Sequence, residues 1–158
     1  MLKDYKKLMH SKEFKEWGLR NKEAYLSNCF IMLDKDNKGI WRFDYYLPKE
    51  NKLTTFVVDE KITINQDQKI FNQSSKKLKA INVENIKFDL NKINKLLNKK
   101  FKGKLFFKKI FILQYLGKLL WNISLLGSDF NLINVKVDAL KGDVIEESTT
   151  SMLQFKGG

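Results

Sequence analysis

Several residue types on which common folds and active sites depend are almost missing from this chain of 158 residues. It contains one cysteine, one proline and one histidine. A disulfide framework and a zinc site of the usual Cys/His kind are therefore excluded. A histidine-dependent catalytic triad is excluded too, unless His10 serves it. The 8 glycines are scattered along the chain, and none of them forms a phosphate-binding loop.

Long uninterrupted apolar runs are also lacking. The N-terminal sequence, Met1-Leu-Lys-Asp-Tyr-Lys-Lys, has no apolar core of the kind that a secretory signal needs. The longest apolar stretch, residues 110–126, contains Gln114, Lys118 and Asn122, which a membrane-spanning helix tolerates poorly near its centre. We therefore expect no integral membrane segment. The single Cys29, inside an apolar run, fits a reduced compartment and predicts a cytoplasmic protein.

Arginine is scarce, although the chain is strongly basic. The formal net charge is +12, yet 28 of the 30 basic residues are lysine. A basic chain usually binds nucleic acid or another polyanion. Arginine is the side chain that forms bidentate contacts with phosphates and bases, so its scarcity weakens the nucleic-acid interpretation. The excess charge is concentrated, because residues 76–109 contain 12 lysines and 2 acidic residues.

Periodic hydrophobic patterns predict a helix followed by several strands in each half of the chain. Ser11 is a good N-cap for the first main helix, and residues 90–100 have a helical period with Leu90, Ile93 and Leu97 on the apolar side. Alternating apolar residues between turn sequences predict the strands. These strands are 24–33, 40–47, 53–59 and 61–65 in the first half, and 104–116, 119–126, 130–139 and 144–145 in the second.

The order of these elements suggests an internal repeat. Trp41 and Trp121 begin matching strands 80 residues apart, and the polar segment 66–79 between the halves is the best linker candidate. A helix packed on an antiparallel sheet is a stable layer arrangement. We therefore expect a soluble α+β fold of tandem αβββ(β) units, each a helix packed on its own antiparallel sheet. The units are residues 1–75 and 76–158, packed into one compact pseudo-two-fold body.

The last hairpin carries a distinct motif. Val137-Asp138-Ala139 is followed by Gly142 and by Val144-Ile145. This pattern resembles the end of PepSY-type domains, and the similarity extends over residues 85–147; the preceding order of elements is also similar to cystatin-like folds. In physical terms, Asp138 caps a tight turn and Gly142 supplies a positive φ. The resemblance implies a non-catalytic module that inhibits or regulates another protein.

Lysine recurs at helical spacing on the second main helix and continues onto the next strand. The candidate binding residues are Lys92, Lys95, Lys99, Lys102, Lys108 and Lys109. Clustered like charges repel one another, so a binding role is a reason for them to persist. The ordinary alternative is a solvated helix face in a lysine-rich chain. If the lysines bind an anion, the binding is electrostatic and falls steeply with salt.

Two hypotheses of function stay open, and a third has less support. The first is a non-catalytic binding or regulatory module whose partner, a protein or peptide, adds a strand at an open sheet edge. The second is a module that binds nucleic acid or another polyanion through the lysine-rich helix face. The third is an enzyme with a polar cleft between the two units. We predict that the protein is not an enzyme and has no cofactor.

The remaining chemistry-bearing residues favour structural roles. Asp59 and Asp138 lie at hairpin ends, where aspartates cap turns, and Asp44 is a further acidic candidate. Cys29 and His10 could form a nucleophile pair, but no third residue orients them. The loop that begins at Asp34 resembles a calcium loop but has lysine and tyrosine where oxygen ligands are needed.

An aromatic group in the first half favours a core over a binding platform. Trp41, Phe43, Tyr45 and Phe56 alternate inward along their strands, so they are predicted to be buried. Tyr46 points to the other face and is a minor candidate for surface recognition.

Overall fold

The computed structural model describes residues 1–69 and 78–156. About 25% of the structure is helical and 44% is strand. The α-helices of these described residues are α1 (Leu2–His10), α2 (Lys12–Arg20) and α3 (Leu90–Lys100). The strands are β1 (Tyr25–Leu33), β2 (Trp41–Leu47), β3 (Lys52–Val58), β4 (Ile62–Lys69), β5 (Phe106–Tyr115), β6 (Leu119–Gly127), β7 (Asn131–Asp138) and β8 (Val144–Ser151). Short 3-10 turns cover Val83–Asn85 and Met152–Lys156.

All eight strands belong to one antiparallel sheet in the order β4-β3-β2-β1-β5-β6-β7-β8. The central pair is β1 with β5, in which Cys29 lies opposite Leu113 and Ile31 lies opposite Phe111. The expected tandem αβββ(β) units, each with its own sheet, are therefore wrong. Periodicity identifies a strand but not the edge with which it pairs. Pairing β1 with β5 removes two exposed edges at once, which favours one continuous sheet.

The main hydrophobic cluster lies against one face of this sheet. Alternate side chains of the inner strands form a single hydrophobic cluster with residues of all three helices. In the first half, the Trp17 ring of α2 packs edge-on against Phe56, with centroids 5.0 Å apart. In the second half, Ile93 and Leu97 of α3 are buried, as the helical period predicted. The helices therefore cover one face of the sheet in both halves.

Local signals in the sequence correspond to real contacts. Ser11 is the N-cap of α2, and its Oγ accepts a hydrogen bond from the Phe14 amide at 3.2 Å. Asp34 Oδ1 accepts bonds from the amides of Asp36 and Lys38, both at 2.9 Å, so the calcium-like sequence forms an Asx-type turn. These short-range predictions depend only on neighbouring residues, and they are confirmed.

The ends of the two edge strands differ from the prediction. β4 continues to Lys69 and β8 continues to Ser151, past the predicted ends at residues 65 and 145. Polar side chains at these positions obscured the strand pattern, because an edge strand has few buried neighbours. Part of the predicted linker 66–79 is thus strand. Residues 70–77, which include the predicted boundary between 75 and 76, lie outside the described residues.

The motif in the last hairpin has the geometry expected of it. Asp138 Oδ1 accepts hydrogen bonds from the amides of Leu140 at 2.9 Å and Lys141 at 3.0 Å. Gly142 has a φ of 78°, and a Cβ there would lie 2.3 Å from the Phe88 ring. Burial favours a higher pKa for Asp138, but these amides and the nearby Lys118 ammonium outweigh it, and the pKa is lowered. The ionised Asp138 carboxylate therefore stabilises the turn.

Candidate functional site

Helix α3 presents lysines on the side that faces away from the sheet. Its N-cap is Asp89, whose Oδ1 accepts a bond from the Lys92 amide at 2.9 Å. Because Ile93 and Leu97 are buried, the helical period places Lys92, Lys95 and Lys99 on the opposite side, and all three are exposed. Lys99 also lies in the last turn, where a positive charge complements the helix dipole.

The basic residues continue beyond the end of α3. Lys102 and Lys104 are exposed in the connection to β5. The Phe101 and Phe106 rings meet edge to face with centroids 6.0 Å apart, so the end of the helix lies against the start of that strand. Lys100 Nζ is 2.8 Å from Glu147 Oε2 on β8. We call Lys92, Lys95, Lys99 and Lys102 the basic surface.

Lys108 and Lys109, the last two predicted lysines, do not lie side by side in the basic surface. Lys108 and Lys109 are neighbours on β5, so their side chains point to opposite faces of the sheet. Lys109 Nζ donates to Asn37 Oδ1 in the β1–β2 turn at 2.9 Å, and partial burial lowers the pKa of this lysine. Lys109 therefore joins two strand ends, and Lys108 is exposed on the face without helices.

The possible nucleophile pair of Cys29 and His10 is not assembled. Cys29 is completely buried, and burial raises the pKa of its thiol, with the Asp44 charge adding to the effect. His10 is exposed, and its Nδ1 lies 2.7 Å from the Lys6 carbonyl oxygen. No hydrogen bond joins the two side chains, both of which lie in the described part of the chain.

The acidic candidates lie apart from one another. Asp44 is on β2, where its carboxylate accepts hydrogen bonds from the Thr55 hydroxyl at 2.6 Å and from the Asn28 side-chain amide at 3.4 Å. Asp59 follows β3 at the opposite end of the sheet from the Asp138 turn. One hollow of about 260 Å³ is lined only by residues of the first half, from the end of α2 and the β2–β3 turn. It is thus not the cleft between halves that the enzyme hypothesis required.

The aromatic residues of the first half form the core rather than a platform. Trp41, Phe43, Tyr45 and Phe56 are buried as predicted. Tyr46 is also buried, at 2% exposure, and its hydroxyl donates to Asn51 Oδ1 at 2.8 Å. Its candidacy for surface recognition is therefore wrong, because the β2–β3 turn and the neighbouring Tyr25 ring cover it.

A group of exposed apolar side chains at one end of the sheet is not apparent from the sequence pattern. Its members are Leu105 before β5, Phe107 on β5, Phe130 before β7 and Leu153 after β8. The available signal was Phe130 directly after the turn sequence Gly127-Ser-Asp, where a small or polar residue is usual. The alternating pattern predicts that Phe130 belongs to the strand 130–139, and this prediction gives no sign that its side chain is exposed.

Two kinds of feature are absent from the described residues. No helix among them is long and apolar enough to cross a membrane. Within residues 1–69 and 78–156, no group of three or more histidine, cysteine, aspartate or glutamate side chains is arranged to hold a metal ion.

Comparison with known proteins identifies the fold and nothing finer. No protein-family model matches the chain, and no curated protein matches its sequence. The structure is similar to the crystal structure of a proposed lipoprotein from Clostridium difficile 630, with a TM-score of 0.57. The match covers 87% of this chain and 90% of that protein at 15% sequence identity. At this identity the likeness shows a shared fold alone.

Proposed function

We propose that the protein is a non-catalytic binding module that binds a polyanion through the basic surface. The observation that carries the proposal is the outer face of α3. Lys92, Lys95 and Lys99 are exposed there, and no carboxylate among the described residues lies within ion-pair distance of them. Lys100, the next lysine along, has such a partner in Glu147.

The physical basis is counterion release. An array of phosphates or sulfates concentrates cations around itself, and lysines that approach the array displace them into solution. A helix holds Lys92, Lys95 and Lys99 at the spacing of successive turns, so they can meet neighbouring charges on one strand or surface together. Lysine ammonium groups act as point charges, which suits binding without sequence preference.

The test measures binding to a fluorescently labelled DNA duplex, which serves as a generic polyanion. The unmodified protein and two triple variants are each titrated into the DNA. The first variant changes Lys92, Lys95 and Lys99 to Gln. The matched control changes Lys3, Lys6 and Lys15, which are exposed on α1 and α2, so both variants lose the same charge. Fluorescence anisotropy is measured at several salt concentrations between about 50 and 200 mM.

We expect the α3 variant to weaken binding and to reduce the slope of log K against log salt by about 2 to 3. The control should change this slope by less than one unit if its lysines lie outside the contact. Equal slopes for the two variants would contradict the basic surface. Absence of binding by the unmodified protein at about 50 mM salt would overturn the proposal as a whole.

A protein or peptide partner is the second candidate. The observation that favours it is β8, which lies at one edge of the sheet and is paired on one side by β7. Residues 144–149 of this strand are exposed, so an extended peptide could add to it. Glu146 and Glu147 lie on the same edge, and such charges usually discourage pairing. A regulatory role of the PepSY type belongs to this second candidate.

The proposal of a non-catalytic role is supported by what the reactive side chains do in the fold. The Asp138 carboxylate caps a turn, and the Cys29 thiol has a raised pKa in the core. Asp44 holds neighbouring strands together through Thr55. We also propose a cytoplasmic location, with the free buried Cys29 in its support.

A further inference from the structure

One end of the sheet exposes an unusual set of large apolar side chains. The exposed fractions are 75% for Leu105, 42% for Phe107, 56% for Phe130 and 56% for Leu153. We call these four residues the apolar tip. Scattered single apolar side chains are normal on a protein surface, but a group at one place usually marks an interaction site.

Backbone hydrogen bonds connect the segments that carry these side chains. The Ser128 amide donates to the Leu105 carbonyl at 3.0 Å, which joins the start of β5 to the β6–β7 turn. The Phe130 amide donates to the Gly127 carbonyl at 3.1 Å, and the Met152 amide donates to the Phe130 carbonyl at 2.9 Å. Leu105, Phe130 and Leu153 therefore lie on adjoining segments at one end of the sheet, and Phe107 follows Leu105 at the start of β5.

Phe130 occupies a backbone position that is unfavourable for it. The loop between β6 and β7 has three residues, and Phe130, the last of them, has a φ of 59°. Glycine usually occupies the left-handed position of such loops, and asparagine tolerates it. A bulky aromatic there is a true outlier and carries strain. The ring is more than half exposed, so burial does not compensate for the strain, and a role outside folding is indicated.

Lysines flank the apolar tip. Lys102 and Lys104 precede Leu105, and Lys108 follows Phe107, and all three are exposed. The β6–β7 turn itself contains one acidic residue, Asp129. Hydrogen bonds from Asn131 lower the pKa of Asp129, and the positive charge of Lys104 adds to the effect. The Phe101–Phe106 contact places the C-terminal end of α3, which carries Lys99, beside this end of the sheet.

The opposite end of the sheet has a more even balance of charge. It also exposes apolar side chains, including Leu116 at 51% and Leu140 at 43%. Lys118 Nζ is 3.5 Å from the Asp138 carboxylate there. The charged residues beside the two leucines are of both signs: Lys118, Lys141, Asp138 and Asp143. Exposed apolar groups and an excess of lysines over acidic residues therefore coincide at the apolar tip.

We propose that the apolar tip inserts into the interface of an anionic lipid bilayer while the adjoining lysines bind its headgroups. The inference rests on the proposed polyanion binding and names its partner. Peripheral binding scales with the apolar area that enters the interface and with attraction to anionic lipids. Neither contribution is large alone, so an apolar tip flanked by lysines provides the two signals that stable attachment requires. The sheet then stands with this end toward the membrane.

The test is co-sedimentation of the full chain with vesicles of phosphatidylcholine, with and without phosphatidylserine, at about physiological salt. The tip variant combines Leu105→Gln with Phe130→Asn. The matched control combines Leu116→Gln with Leu140→Gln at the opposite end of the sheet. Phe130→Asn is also studied alone by thermal unfolding, because asparagine relieves the left-handed strain.

We expect binding to the phosphatidylserine vesicles, weak binding to pure phosphatidylcholine, and at least a tenfold loss of affinity in the tip variant. The control variant should bind like the unmodified protein. Phe130→Asn alone should melt at a higher temperature and still bind vesicles less tightly, which separates membrane binding from loss of structure.

Three results would overturn the inference. The first is DNA binding without binding to the phosphatidylserine vesicles, which leaves the proposed function intact and refutes the membrane as partner. The second is equal vesicle affinity of the tip and control variants, which refutes the apolar tip. The third is failure to bind either DNA or vesicles, which refutes the proposed function together with this inference.

Discussion

Gly142 shows how a single residue determines the local fold. Its φ of 78° belongs to the left-handed region, which glycine adopts without steric cost. The Phe88 ring occupies the space where a Cβ would lie. The amides of Lys87 and Phe88 both donate to the Ala139 carbonyl in the same turn, at 3.3 Å and 3.0 Å. The residue is therefore constrained by backbone conformation and by packing together.

We predict that Gly142→Ala destabilises the protein more than Gly103→Ala does. Gly103 has a similar φ of 84°, but no atom lies within 4 Å of the place of a Cβ. The Gly103 variant should lose about 1 to 2 kcal/mol of unfolding free energy, from backbone strain alone. The Gly142 variant should lose a further ~1 to 3 kcal/mol, because the Phe88 ring must move. Urea unfolding of both variants measures the difference.

Equal losses in the two variants would show that the Phe88 contact contributes nothing at this turn. At the residue scale, the sequence predicts a role well where a side chain acts on nearby backbone, as Asp138 and Gly142 do in their turn. The burial of Tyr46 depends in part on the Tyr25 ring of the neighbouring strand, and the sequence pattern does not reveal this contact.

At the scale of elements, α1 and α2 meet at Ser11. The Ser11 hydroxyl donates to the Leu8 carbonyl at 2.7 Å and accepts from the Phe14 amide at 3.2 Å. It thus serves the last turn of one helix and the first turn of the next. Each helix has only nine residues, which is too short to be stable in isolation, so caps and packing carry the stability.

We predict that Ser11→Ala lowers the unfolding free energy by about 1 kcal/mol, since the Phe14 amide loses its acceptor. Ser11→Thr keeps a hydroxyl that can both accept from Phe14 and donate to Leu8, and it should cost less than half as much. The measurement is the midpoint of urea unfolding at constant slope. If the threonine variant is as unstable as the alanine variant, the hydroxyl does not contribute through these hydrogen bonds.

In the molecule as a whole, the β1–β5 pair joins the strands of the two halves into one sheet. These two strands lie at the centre of the sheet, and the Phe111 ring packs edge-on against Trp121 with centroids 6.4 Å apart. Trp121 in turn lies 6.4 Å from Trp41 of the first half. One hydrophobic cluster therefore contains residues of both halves.

We predict that the two halves unfold in a single transition. One variant keeps only Trp17 and another keeps only Trp121, with phenylalanine at the other tryptophan positions. In each variant the tryptophan fluorescence should follow the same urea curve as far-UV circular dichroism, which reports the whole sheet. A fluorescence transition that precedes or follows the circular dichroism curve would show that the halves unfold separately.

The amino-acid sequence was sufficient to predict the local features of this protein: helices α2 and α3, most strand centres, the turns and the lysines on the outer face of α3. These depend on residues a few positions apart, where periodicity and backbone preference are decisive. Contacts distant in sequence were needed to show that β1 pairs with β5, that the edge strands are longer, and that Lys108 and Lys109 point to opposite faces. The tertiary structure also brings Leu105, Phe130 and Leu153 to one end of the sheet. Strand pairing joins residues that are distant in sequence. Neither the hydrophobic period nor the charge pattern of a strand identifies the strand with which it will pair.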